Sequence, residues 1–256
     1  MIRILPVRAF RDNYIWLITA GDSGNAAVVD PGDAAPVLDA LQAHGLRLCA
    51  ILITHHHADH TGGVRQLLAG QQVPVYGPAR ESIPGMDHAL QDGDTVTLEE
   101  LQLEFRVLDV PGHTAGHIAY YGHDCLFAGD TLFMAGCGRL FEGSAEQMHA
   151  SLQKLLALPP QTRVYCAHEY TLANLRFAAA VEPGNDAVAQ RTGASEALRA
   201  RDNPTVPGSL EQERLTNPFL RTDQPAVIAA AQAHAARPLH GAAEVFAVLR
   251  EWKDGF

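Results

Sequence analysis

Along the first two thirds of the chain, apolar residues gather in short runs broken by Gly, Pro, Asp and Asn, the pattern of strands separated by turns. These runs predict strands at residues 2–7, 14–19, 26–29, 48–53, 73–76, 95–98, 103–108, 118–121, 125–127 and 163–166. Between them, apolar positions spaced three and four apart predict helices over about 35–44, 63–69 and 145–156. The first of these closes on His44-Gly45, a glycine C-cap with a cationisable residue in the last turn. Short strands alternating with helices imply one or two sheets with helices on their outer faces. Beyond about residue 170 the strand pattern ceases. Residues 171–180, 186–201, 210–216, 226–235 and 243–252 all read as helix, punctuated by Glu182-Pro183-Gly184-Asn185, Asn203-Pro204 and Asn217-Pro218. The shift predicts two domains, 1–170 and 171–256, the second all-helical.

Composition narrows the classes. With 256 residues, 47% hydrophobic and 19% charged, the chain has an ordinary globular make-up with room for a large core. Lys+Arg number 19 against 29 Asp+Glu, a net charge of -10. That balance argues against a general nucleic-acid or anionic-membrane binder, which needs a basic face. A small anionic substrate held by a few local cations remains compatible with it. Cys49, Cys125, Cys137 and Cys166 form no C-x-x-C pair, and three of them fall in strand-like runs, so they read as buried free thiols of a reducing compartment. The N-terminus lacks the apolar core of a signal peptide and no apolar run is long enough to span a membrane, so the expected location is the cytoplasm.

The strongest chemical signal follows the run 48–53. Thr54-His55-His56-His57-Ala58-Asp59-His60 places three imidazoles and a carboxylate in an H-x-H-x-D-H spacing at the C-terminal end of a strand. Strand ends of this kind are where α/β proteins place chemistry, and neutral imidazole and carboxylate are the ligands of zinc and its neighbours. Three further predicted strands end in the same way: Pro111-Gly112-His113, Gly129-Asp130 and Ala167-His168. Seven potential ligands on four strand ends suggest two ions. His55 and His57 alternate along an extended segment and face one ion with His113; Asp59 and His60 face a second with His168; Asp130 can bridge them. Paired ions of hydrolases sit about 3.5–4 Å apart and make hydroxide available at neutral pH. No protein nucleophile is then needed, and none is offered: Gly143-Ser144-Ala145 reads as a helix N-cap. Alternation turns His56 away from its neighbours, and His117 reads as a packing or supporting residue.

With these residues in hand, the chain resembles the metallo-β-lactamase superfamily in His55-x-His57-x-Asp59-His60, Gly112-His113-Thr114, Gly129-Asp130 and His168. The resemblance implies an α+β four-layer αβ/βα sandwich with a dinuclear metal site at one edge, most simply two Zn2+, with Fe or Mn also suited to the ligands. Residues 135–143, 167–175, 181–185, 203–207, 217–221 and 250–254 are similar to the glyoxalase II (hydroxyacylglutathione hydrolase) family, nearly end to end. That family implies hydrolysis of S-D-lactoylglutathione to D-lactate and glutathione by a metal-bound hydroxide, in methylglyoxal detoxification. Asp59 and Asp130 are then the catalytic carboxylates, Asp59 also orienting the hydroxide. Arg139, Phe141, Tyr170, Arg250 and Lys253 fall at glutathione-contact positions, with Phe141 standing where the family commonly has Tyr. The expected partner is a small glutathione thioester, with no nucleic acid or membrane, and the chain is expected to act as a monomer. The competing expectation within the superfamily is a glutathione-persulfide dioxygenase with a single iron held by two His and one Asp.

Overall fold

A computed structural model describes residues 1–256. Compactness parts the chain into two units: Met1–Asp109 with Gly116–Gly129, and Val110–Ala115 with Asp130–Phe256. This division lies elsewhere than the loss of strand pattern near residue 170. Residues 130–168 share hydrogen bonds with the C-terminal helices, as described below.

The first unit begins with the hairpin β1 (Ile2–Ala9) and β2 (Asn13–Ala20), paired from Ile2↔Ala20 to Ala9↔Asn13. β1 alternates buried and exposed positions, whereas β2 is buried nearly throughout, as expected of an edge strand and an inner one. β3 (Asn25–Val29) adds antiparallel to β2, and helix α1 (Ala34–His44) crosses over to β4 (Arg47–Leu52), which pairs parallel to β3. Asp33 caps α1 through Ala35 N, and Gly45 ends it at φ 62°, the left-handed conformation predicted from His44-Gly45. Helices α2 (Ala58–Thr61) and α3 (Val64–Ala69) follow, then parallel strands β5 (Val75–Pro78) and β6 (His88–Leu90). Val28, Val37, Leu41, Ile51, Ile53, Val64 and Leu67 form part of the core that α1 and α3 close over the sheet.

β7 (Thr95–Leu98), β8 (Leu103–Asp109), β9 (Ile118–Gly122) and β10 (Cys125–Gly129) form an antiparallel meander. The Tyr120 hydroxyl on β9 donates to Ile53 O at 2.8 Å, tying this meander to the end of β4. Burial, with Asp30 nearby, pushes the Tyr120 phenol well above its ordinary pKa, so it stays a donor.

The second unit holds the two-residue strands β11 (Leu132–Phe133) and β12 (Gly136–Cys137), helix α4 (Ala145–Leu156), β13 (Arg163–Cys166), and helices α5 (Thr171–Val181) and α6 (Asp186–Arg199). After these come β14 (Gly208–Ser209), α7 (Leu210–Thr216), α8 (Pro225–Ala235) and α9 (Ala242–Asp254). Ser144 caps α4, as the sequence predicts, and Gln147 returns the bond to complete a capping box. Residues past 170 are not wholly helical, because β14 pairs antiparallel with β13.

A buried polar network fixes this unit. Glu213, fully buried on α7, accepts from Arg191 Nη2 (2.5 Å), Ala135 N (2.8 Å) and Asn217 Nδ2 (2.9 Å). Arg191 also donates to Thr216 Oγ1 at 2.6 Å, so both charges are saturated. The loop between β11 and β12 is thereby held by the same residues that join α6 to α7. Glu213→Ala strands a buried guanidinium, and we expect it to lower the unfolding free energy by about 3–5 kcal/mol, measured by urea titration.

Candidate active site

β3 and β4 run parallel, so their C-terminal ends meet at one edge. Asp30 follows β3 and Thr54 follows β4. Asp30 N donates to Leu52 O, and the Asp30 carboxylate returns by accepting from Thr54 N and Thr54 Oγ1, both at 2.8 Å. Thr54 gives its single hydroxyl hydrogen to Asp30, so the 3.1 Å contact between Thr54 Oγ1 and His55 Nδ1 has the imidazole as donor. His55 Nε2 is then the ring nitrogen with a lone pair. It lies 3.1 Å from His57 Nδ1, so the extended segment brings alternate histidines together as its spacing implies. His56 points elsewhere: its Nδ1 and backbone N both meet Glu81 Oε2. His117 stacks on His55 at 4.6 Å between centroids, in the packing role expected of it.

The chain then turns helical at α2, which carries Asp59 and His60. Asp59 Oδ2 accepts from Asn13 Nδ2 at 2.9 Å and lies 3.5 Å from His60 Nε2. His60 Nδ1 lies 3.2 Å from Asp30 Oδ2. Asp30 therefore serves two histidines, one directly and one through Thr54. Gly129, ending β10 at φ 49°, allows this crowding, because a Cβ there would fall 2.4 Å from Thr54 Oγ1 and 2.7 Å from the His117 ring.

The second unit carries His113, Asp130 and His168, the other donors expected from the sequence. His113 Nδ1 donates to Arg139 O at 2.9 Å, leaving Nε2 to face Asp130 Oδ2 at 3.5 Å. His168 Nε2 approaches the same Asp130 oxygen at 3.3 Å. Two imidazoles from separate segments thus converge on one carboxylate. The Tyr170 ring stacks on His168 (4.8 Å, 3°), and the Phe141 ring meets His113 edge-on at 5.2 Å while remaining 63% exposed.

These donors fit divalent ions on their chemistry. His55, His57, Asp59, His60, His113, Asp130 and His168 each present an atom able to bind a metal. Two nitrogens on one tetrahedral zinc are about 3.3 Å apart, close to the His55–His57 separation. His55, His60 and His113 each have the other ring nitrogen against a hydroxyl, carboxylate or carbonyl, the arrangement that fixes the tautomer of a metal-binding histidine.

Sequence reasoning passed over Asp30, Asn13 and Glu81. Asp30 had the signal used for its neighbours, an acid directly after a strand, but Asp30-Pro31-Gly32 also reads as a plain turn. The expected cations are placed unequally. Arg250 is buried: its Nη1 donates to Cys137 O at 2.9 Å and its Nη2 to Asp254 at 2.9 Å. Arg139 is largely exposed, with Nε 3.4 Å from Asp254. Lys253 lies over the Phe177 and Phe256 rings, and burial, with Arg250, Arg139 and Arg176 nearby, lowers its pKa. Arg139 and Arg250 pair with Asp254, and with Arg176 they surround Lys253, a local positive field in an acidic chain. All four cysteines are free and buried, and burial pushes Cys49 and Cys137 up to about 11 and Cys166 to about 12. None of those three is a nucleophile at neutral pH.

A family model described as the metallo-beta-lactamase superfamily matches residues 8–168, and one described as the hydroxyacylglutathione hydrolase C-terminus matches residues 169–256. The chain is 56% identical over 256 residues to a hydroxyacylglutathione hydrolase of Nitrosomonas eutropha, covering 100% of both. It is 59% identical over 254 residues to a protein of the same name in Alkalilimnicola ehrlichii, covering 99% of each. Among solved structures, ETHE1 from Myxococcus xanthus is similar with a TM-score of 0.65 at 28% identity, covering 85% of this chain and 83% of that one. TTHA1623, solved in a di-iron-bound form, gives 0.60 at 30% identity, covering 84% and 100%.

Because Asp30 orients His60 and, through Thr54, His55, its loss is expected to loosen both. Asp30→Ala is expected to weaken divalent-metal retention by about 10–100-fold, read by chelator titration of the purified protein.

Proposed function

Because the chain belongs to the hydroxyacylglutathione hydrolase family within the metallo-β-lactamase superfamily, we infer that it hydrolyses S-D-lactoylglutathione to D-lactate and glutathione. The observation that carries this is the full-length relation, metal domain and C-terminal segment together. An α+β metallo-β-lactamase fold with a His/Asp cluster is a divalent-metal enzyme's fold, and the persulfide dioxygenase reading finds no support in relatives of this name.

We propose that His55, His57 and His113 hold one ion, that Asp59, His60 and His168 hold a second, and that Asp130 contacts both. Zinc is our proposal for the metal, supported by the all-nitrogen and oxygen donor set. Such ions, when bound, supply hydroxide at neutral pH and polarise a carbonyl. The chain's own part is positional. Asp59, fixed by Asn13, would orient the attacking water, and Asp130, beside the Nε2 atoms of His113 and His168, would complete the donor set with them. The water oxygen adds to the thioester carbon, the C–S bond breaks, and the thiolate departs, a good leaving group that asks for no strong acid.

For the carrier we propose Arg139, Phe141, Tyr170, Arg250 and Lys253. Lys253 and Arg139 attract the glutathione carboxylates, supported by the positive field around Asp254. Tyr170 and Phe141 offer ring surface beside His168 and His113. Arg250 contributes charge from beneath while holding β12. No helix is long and apolar enough to cross a membrane. We propose a cytoplasmic monomer.

Purified protein is expected to turn over S-D-lactoylglutathione with about two ions per chain by metal analysis. His57→Ala and Asp130→Ala should abolish turnover; undiminished rates would sink the ligand assignment. Lys253→Ala should raise KM about three- to tenfold with kcat nearly unchanged. Since the lysine pKa lies below its ordinary value, KM is expected to climb on the alkaline side before a normal lysine would titrate, and Lys253→Arg should abolish that climb.

A further inference from the structure

The turn joining β1 to β2 is Phe10-Arg11-Asp12, and it carries a conformational cost. Phe10 has φ 50°, the left-handed region that bulky residues avoid, yet its ring is 61% exposed. An isolated exposed aromatic is ordinary on a protein surface. A strained one fixed beside a reactive centre is not, because such strain gathers at ligand-contacting positions.

The register fixes where this residue sits. Ala9 pairs with Asn13 across the turn, and Asn13 donates to Asp59 Oδ2 at 2.9 Å. Between the ring and the Asp59 main chain lies Gly32. A Cβ on Gly32 would fall 1.7 Å from Asp59 O and 2.9 Å from Phe10 Cε2. Asn13, at one end of the turn, therefore holds the Asp59 carboxylate, while the Phe10 ring edge, at the other end, lies by Gly32 on the main-chain side of Asp59. With Asp59 orienting the water, the attacked carbon lies about 3–3.5 Å from that oxygen.

We propose that Phe10 forms the apolar wall for the acyl group, packing against its aliphatic carbons and setting the preference for short branched hydroxyacyl chains over a bare formyl group. This rests on the hydrolase reading above. Asn13 keeps the carboxylate aimed, Gly32 keeps the gap open, and Phe10 supplies the surface against which a methyl-bearing acyl group loses water.

The test compares S-D-lactoylglutathione with S-formylglutathione, whose acyl group has no carbon beyond the carbonyl to meet the ring. Phe10→Ala should lower kcat/KM for the lactoyl ester about tenfold and for the formyl ester by less than about twofold, with metal content unchanged. Phe10→Leu should restore most of the loss. Equal losses on both esters would overturn the proposal, since Phe10 would then act through Asp59 alone; so would no loss on either. A wild-type enzyme inert towards both esters overturns the hydrolase reading, and the acyl wall falls with it, whereas equal losses, or none, on Phe10→Ala in an active enzyme overturn the wall only.

Discussion

Asp30 is a carboxylate buried among neutral strand ends, and burying such a charge is costly unless every lone pair is used. Here both oxygens are used in an informative way. One oxygen takes the Thr54 amide; the other takes the Thr54 hydroxyl and faces His60. The positions of two histidines thus follow from one acid, and that acid follows from the parallel pairing of β3 with β4. Were these strands antiparallel, Asp30 and Thr54 would lie at opposite edges and the imidazoles would have no common anchor.

The regular elements were legible because their periods are long enough to read. Strands such as 14–19 and 103–108 and helices such as 145–156 and 210–216 emerge close to their predicted limits. What escaped is what pairing or geometry alone decides. β6, β11, β12 and β14 are two or three residues each, too short for any alternation, and exist because a partner strand is present. The four-residue α2 is likewise shorter than a readable helical period, although it carries Asp59 and His60.

Residue type and spacing marked seven candidate donors, and alternation set His56 apart, which the structure turns to Glu81. The supporting residues were harder. Asp30 hid inside a turn signal, and Asn13 and Glu81 lie far in sequence from what they hold. Arg250 and Lys253 are three apart on one helix face, yet only packing shows that one guanidinium is buried under β12 while the neighbouring ammonium rests on aromatic rings.

The four thiols acquire a meaning from the reaction itself. An enzyme that releases glutathione at every turnover works where thiols and disulfides exchange, and exchange proceeds through a thiolate that can be reached. Cys49, Cys137 and Cys166 have pKa values raised to about 11 or 12, and Cys125 is fully enclosed in β10. Those three have a negligible thiolate population at neutral pH, and all four sulfurs are shielded. The protein is thereby shielded from thiol–disulfide exchange with the oxidised, disulfide form of its product.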